Sequence, residues 1–233
     1  MTPISVSSLS SNPFATRFVL PGQVKWMGRD DYFEQLASLW LKLNCRAAIV
    51  GVHGSGKSTL LEHFVPLIGV VIFRRDAEGN MVTENLSRNA PSNERLQTVW
   101  LQLRKTVAPS MIIPWEELRR DRLLVLDGYE QLTRWRRAAL FARTGLRGVK
   151  LLVTSHRRTA LATLCELSIT SSLARQIVWE VTRGLGEFAT INDKEIQRCL
   201  LDHGGNMREV LMELYDRVEE QRAIGIQKVK RKS

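Results

Sequence analysis

Gly51, Gly56, Lys57 and Ser58 keep the spacing G-x-x-x-x-G-K-[ST] inside residues 51–59, GVHGSGKST. These residue types in this order suit a polyphosphate. Glycine at 51, 54 and 56 lets the backbone wrap closely round an anion, because only glycine lacks the Cβ that blocks close approach and positive φ. The wrapped N–H groups and the start of the helix expected next would offer partial positive charge. Lys57 would reach the β- and γ-phosphates, and the Ser58 hydroxyl would take one Mg²⁺ coordination position. His53, Gly54, Ser55 and Thr59 complete the candidate nucleotide contacts of the loop.

Two strand ends supply further candidates. Residues 123–126 (LLVL) are an apolar run ending in Asp127, as expected of a buried parallel strand that delivers a carboxylate beside the loop. There Asp127 would orient Mg²⁺ through water, with Ser58 as the other metal-side residue; the alternative is a plain turn aspartate before Gly128. Residues 149–153 (VKLLV) run into Thr154-Ser155-His156-Arg157-Arg158. The polar residues at that strand end, Thr154 among them, are candidates for the γ-phosphate or the attacking water, and helix capping by Thr154 or Ser155 is the competing reading.

The elements that must position these residues are read from periodicity. Residues 47–50 (AAIV) make a strand before the loop, and Leu60, Leu61, Phe64 and Val65 make a helix after it. Asp30 and Asp31 open an amphipathic helix through Leu43. Residues 70–73 read as a second strand, 77–80 as a turn and 81–91 as a loop. Residues 92–105, with Leu96, Val99, Trp100 and Leu103 at helical spacing, read as a helix capped by Ser92, and 115–120 as a short helical turn. Residues 131–144 read as a helix burying Trp135, Ala138, Ala139, Leu140 and Ala142. Residues 159–167 are expected as a short helix and 176–181 (QIVWEV) as a fifth strand. From 191 to 220 only helix is expected, broken at His203-Gly204-Gly205-Asn206.

The expected fold is therefore α/β, a three-layer α/β/α sandwich on a mostly parallel sheet with a small C-terminal helical module. The domains expected are an N-terminal arm at 1–27, an α/β domain at 28–184, a helical module at 185–227 and a basic tail at 228–233. Within the arm, residues 12–27 read as an extended, packed segment. The cysteines Cys45, Cys165 and Cys199 are too scattered for a disulfide framework or zinc cluster. Neither a secretory signal nor a membrane span is expected, which points to the cytoplasm. Net charge is +10. Residues 116–158 and the tail 228–232 (KVKRK) carry the excess between them. Such blocks suit an anionic partner, although a basic tail also serves solubility.

Taken together, the chain resembles the AAA+-like and STAND-type switch ATPases among P-loop NTPases. GVHGSGKST resembles their Walker A and LLVLDGYEQL their Walker B. LLVTSHR is similar to their sensor-1 strand, and HGGNMREVLMELYD to the sensor-2 region of origin-recognition-type members. The whole also resembles an uncharacterised group of ATP-binding proteins from planctomycete-type bacteria. The resemblance implies that Arg208 would sit against the γ-phosphate, the competing reading being a solvated helix face. It implies an arginine finger at Arg175, which would need a neighbouring subunit of a homo-oligomer. One position departs. The AAA+ pattern puts a catalytic Glu directly after the aspartate, where this chain has Gly128. Glu130 is then either a displaced base, one turn on and acting through water, or a surface residue.

Several functions follow as expectations. The first is an ATP- and Mg²⁺-dependent switch or motor, with Lys57, Asp127, Glu130 and Arg208 in the reaction. A kinase for a nucleoside or other metabolite is a second, with Arg74-Arg75-Asp76 as its substrate-side cluster. A nucleic-acid-associated ATPase, using residues 134–158 and the tail, is a third. A scaffold that binds nucleotide without turnover is a fourth.

Overall fold

The computed structural model describes residues 12, 14, 26–27, 31–68, 71–75, 81–85, 97–103, 113–116, 118–120, 122–182 and 191–230. By contacts between Cα atoms the chain divides into two compact units. One comprises Gly28–Val52 and Gly56–Leu167. The other comprises Met1–Met27, His53–Ser55 and Ser168–Ser233.

The first unit is built on a seven-stranded sheet. Its strands are β1 (Arg46–Gly51), β2 (Val71–Arg75), β3 (Met81–Asn85), β4 (Gln97–Gln102), β5 (Arg122–Asp127), β6 (Lys150–Ser155) and β7 (Ala162–Leu167). Their spatial order is β3-β2-β4-β5-β6-β1-β7. Every pairing is parallel except that of β2 with β3. β1, β5 and β6 share one pattern, five buried residues after a half-buried first. Continuous burial of that kind marks a parallel strand covered on both faces.

Three helices cover the sheet: α1 (Tyr32–Lys42), α2 (Lys57–Ile68) and α3 (Arg134–Leu146). Leu140 of α3 joins the cluster of Ala48, Val50, Leu124, Leu126, Leu151 and Val153 on one face of the strands. By strand alternation Ala47, Ile49, Leu123, Val125 and Leu152 lie on the opposite face and are buried too. α1 packs on β7 and α2 on β1. Phe33 of α1 stacks at 6.4 Å on Phe64 of α2. Full burial of a leucine of this kind contributes about 1.5–3 kcal/mol.

The second unit contains α4 (Ser171–Thr182), α5 (Asp193–Asp202) and α6 (Met207–Lys230). Ala174 and Val178, Ile196 and Leu200, and Val210 and Leu214 form its core, to which Phe14 also belongs. Asn12 donates to the Tyr215 carbonyl at 3.0 Å and to Glu219 at 2.7 Å. Arg217 bridges Glu195 and Glu213, and His203 meets Glu213 at 2.8 Å. Gly204 and Gly205 both take positive φ, 57° and 83°, and so turn the chain between α5 and α6.

The α/β architecture and the helical 191–220 stretch match expectation, and several elements do not. Within the predicted helix at 92–105, residues 97–102 are β4; Thr98, Val99, Trp100 and Leu101 are all buried, and burial on both faces imitates helical spacing. The predicted helix at 159–167 is the edge strand β7. The predicted strand at 176–181 is the second half of α4, whose Ala174, Ile177, Val178 and Val181 recur at helical spacing on the helical core. Residues 81–85 of the expected loop are β3. Trp115 and Glu116 form a turn rather than the start of a helix. On α3 only Leu140 and Thr144 are buried, whereas Ala138, Ala139 and Ala142 are exposed and Trp135 is 87% exposed. The turn at 77–80, the Ser92 cap and Asp76 lie outside the described residues.

Candidate nucleotide site

The strand order determines which ends meet. β6 lies between β1 and β5, with Ile49 opposite Thr154 and Leu126 opposite Val153. The C-terminal ends of β1, β6 and β5 therefore present the phosphate loop, Thr154 and Asp127 side by side. A crevice at the carboxyl ends of parallel strands is where α/β sheets bind ligands.

Asp127, 9% exposed, is the hub. Ser58 donates to its Oδ2 at 2.8 Å, and Thr154 donates to its Oδ1 at 2.6 Å. Thr154 Oγ1 in turn accepts the Gly128 N–H at 2.9 Å. Thr154 thus orients the carboxylate and pins the turn that follows it. Gly128 has φ 92°, and a Cβ there would lie 3.0 Å from the Leu103 carbonyl oxygen. Backbone geometry accordingly favours glycine at this position, where any side chain, a glutamate included, would be strained.

Lys57 opens α2 and is 8% exposed. Its Nζ donates to the Gly51 and Val52 carbonyls, both at 2.7 Å, and lies 3.2 Å from His156 Nδ1. Burial pushes its pKa below the ordinary lysine value, against the pull of the Glu130 and Asp127 carboxylates. His156 Nδ1 also lies 3.3 Å from the Gly51 carbonyl, so it stands between an ammonium and a carbonyl oxygen. The His156 Nε2 meets Glu130 Oε1 at 2.7 Å. A chain of polar contacts thus runs from Lys57 through His156 to Glu130.

Glu130 sits in a 3₁₀ turn, Tyr129–Gln131, immediately after Gly128. Its Oε2 is buried and has no hydrogen-bond partner. Arg137 holds the turn from α3, donating from Nε to the Leu132 carbonyl at 2.8 Å and from Nη2 to the Glu130 carbonyl at 2.9 Å. Glu130 is a half-buried, oriented carboxylate, not a loose surface residue.

In the loop, Gly54 and Gly56 use positive φ, 67° and 87°, whereas Gly51 is the last residue of β1 and offers its carbonyl to Lys57. Ser55 is 4% exposed and its hydroxyl has no partner. His53 is exposed, and the Thr59 carbonyl accepts from His63 Nδ1 at 2.9 Å. His53–Ser55 group with the helical unit. Within that unit a Cβ on Gly54 would fall 1.9 Å from Asn206 Oδ1. The same oxygen accepts the Arg208 N–H at 3.2 Å, which caps the start of α6 and leaves the Arg208 side chain exposed. Arg175 lies in α4, exposed and paired with Asp193 at 2.8 Å.

The donor set fits a magnesium polyphosphate. Ser58 and Asp127 present hard oxygens at one point, and no group of three or more His, Cys, Asp or Glu among the described residues forms a metal cage. Magnesium suits such a place, since it binds through one or two protein oxygens together with phosphates and water. The unpartnered Ser55 hydroxyl and the left-handed glycines fit an anion in the loop. Sequence reasoning placed His156 among the strand-end polar residues but did not single it out or foresee its contacts with Lys57 and Glu130. Its signal was only its place two residues beyond Thr154 at a strand end.

Loop, sheet order and the Asp127 cluster together define an α/β fold with a glycine-rich phosphate-loop motif at the C-terminal ends of its parallel strands. No protein family matches the chain, and no protein of curated function matches it. Among solved structures, a Walker-type ATPase of Pyrococcus abyssi is similar to it, with 13% identity and a TM-score of 0.48 over 95% of this chain and 80% of that one. Among the described residues no helix is long and apolar enough to cross a membrane.

Proposed function

We propose that this chain binds ATP with Mg²⁺ in the residue 51–59 loop and hydrolyses it as an AAA+/STAND-like switch ATPase. The observation that carries this reading is Glu130, an oriented carboxylate with one unpartnered buried oxygen, on the strand-end turn that also carries Asp127. In this reading Lys57 leaves the Gly51 and Val52 carbonyls for the β- and γ-phosphates. Ser58 and Asp127 hold Mg²⁺, which supplies charge neutralisation at the phosphates. Thr154 keeps Asp127 in register, and Glu130 accepts the proton of the attacking water, oriented by His156. Arg208 is the residue that would read the γ-phosphate, and nucleotide state would then become a conformational signal.

A binding scaffold without turnover is the second reading. It is favoured by the His156 contact, which occupies one oxygen of Glu130. The metabolite-kinase reading draws nothing from Arg74-Arg75-Asp76, whose side chains are not among those described. Turnover of ATP with Mg²⁺ decides, measured in wild type, Lys57→Ala and Glu130→Gln with nucleotide binding followed separately. The ATPase reading expects Lys57→Ala to lose binding, and Glu130→Gln to bind ATP while turnover falls about 10²-fold or more. Wild-type binding without turnover establishes the scaffold instead.

A further inference from the structure

The first turn of α3 carries an indole that the fold does not use. Trp135 is 87% exposed, and Arg134 and Arg136 beside it are exposed as well. At 3.6 residues per turn they stand about 100° to either side of the indole around the helix. No acidic residue occurs between Glu130 and Glu166, whereas arginine recurs through α3 and beyond it. Neither Arg134 nor Arg136 has an ion pair among the described residues; the nearby Arg137 is engaged with Glu130 and Leu132 carbonyls.

We propose that this surface binds single-stranded nucleic acid, with Trp135 stacking on a base and Arg134 and Arg136 holding the flanking phosphates. The chemistry favours that occupant over an apolar one. Around Trp135 the exposed face of α3 offers only the small Ala138, Ala139 and Ala142, and Phe141, 45% exposed, stands about 120° away around the helix beneath the Arg46 guanidinium, so the indole protrudes apart from other large apolar side chains. The next large apolar side chain on that line, Leu146, is about 16 Å further along at 1.5 Å per residue. An isolated aromatic face between cations is the arrangement by which strands are held without sequence preference. A duplex keeps its bases stacked inside and offers the indole no face.

The proposal adds a partner to the ATPase reading, and binding is measured without nucleotide, so either fails alone. Fluorescence anisotropy of a labelled oligothymidylate is followed at low salt with the full chain, Trp135→Ala, Trp135→Phe, and Arg134→Ala with Arg136→Ala. The same substitutions are repeated in a chain lacking 228–233, because the KVKRK tail binds any polyanion. Expected are about a tenfold weakening in Trp135→Ala and near-retention in Trp135→Phe. The arginine pair should lower the salt dependence by about one to two counterions. Unchanged affinity in Trp135→Ala, no binding at low salt, loss of binding with the tail alone, equal affinity for a duplex, or binding to anionic vesicles instead of the oligonucleotide would each overturn it.

Discussion

The strand-end cluster of Lys57, Ser58, Asp127, Glu130, Thr154 and His156 and the outer face of α3 lie in the same unit and treat charge in opposite ways. At the site, polar groups answer one another: Asp127 takes Ser58 and Thr154, Lys57 takes two carbonyls and His156, and His156 takes Glu130. On the first turn of α3, arginines stand exposed with no acid in the turn. The other end of the same helix shows that this is no general habit. There Arg46 donates to the Phe141 carbonyl and to Thr144 Oγ1, a cation where the helix dipole favours one. The site is organised for internal consistency, whereas the first turn of α3 leaves Arg134 and Arg136 exposed and without an ion pair among the described residues.

The largest test of this contrast is at the hub. Asp127→Ala leaves the Ser58 and Thr154 hydroxyls without their acceptor. It should abolish turnover and lower the unfolding free energy by about 2–4 kcal/mol, measured by urea denaturation. Trp135→Ala should change stability by less than about 0.5 kcal/mol in the same assay, as befits a residue the fold does not use. Comparable losses in the two variants would erase the contrast.

Next in size is the Gly128 turn. Introducing a glutamate directly after Asp127, by Gly128→Glu, should not raise turnover. It forces a side chain into φ 92° against the Leu103 carbonyl and should cost about 1–3 kcal/mol of stability. A gain in hydrolysis would show that the base belongs at 128 and that Glu130 is structural.

Much of the candidate site's residue grouping was legible because its residues announce their constraints. Glycine spacing, lysine and hydroxyl identify the loop, and the runs before Asp127 and Thr154 are buried on both faces. The supporting elements were less legible where burial and periodicity conflict. β4 has helical spacing because its buried residues are consecutive, and α4 contains a β-branched run that nonetheless keeps helical spacing. α3 misled in a third way. Its buried face includes Thr144, whose hydroxyl is satisfied by the Leu140 carbonyl at 2.7 Å, so the alanines and Trp135 passed for the core. The pairing of His156 was invisible because it depends on two partners distant in sequence, Lys57 and Glu130.

Titration provides a smaller test of internal pairing. Burial pushes the Cys165 thiol up to about 11 from an ordinary 9.0, with the Tyr32 hydrogen bond opposing. The folded chain therefore holds this proton more tightly than the unfolded chain. The resulting stability is complete below pH 9.0 and is lost as pH rises toward about 11. Across that window wild type should lose more stability than Cys165→Ala, in which this titration is missing. Parallel curves would mean that the thiol is open to water.

The smallest effect is the most telling because its sign is reversed. Thr133 is the N-cap of α3, and its hydroxyl accepts the Arg136 N–H at 3.4 Å. Arg136 thus stands at the third helical position, where a glutamate would complete a capping box by reaching back to the Thr133 N–H. A carboxylate there would also favour the positive end of the helix, which an arginine opposes. Arg136→Glu should therefore stabilise the chain by about 0.3–1 kcal/mol in thermal denaturation while weakening oligonucleotide binding. A substitution that improves the fold and impairs binding would separate the two roles at one residue. If Arg136→Glu instead destabilised the chain, the arginine would belong to the fold, and the α3 face would have to be counted with the paired interior.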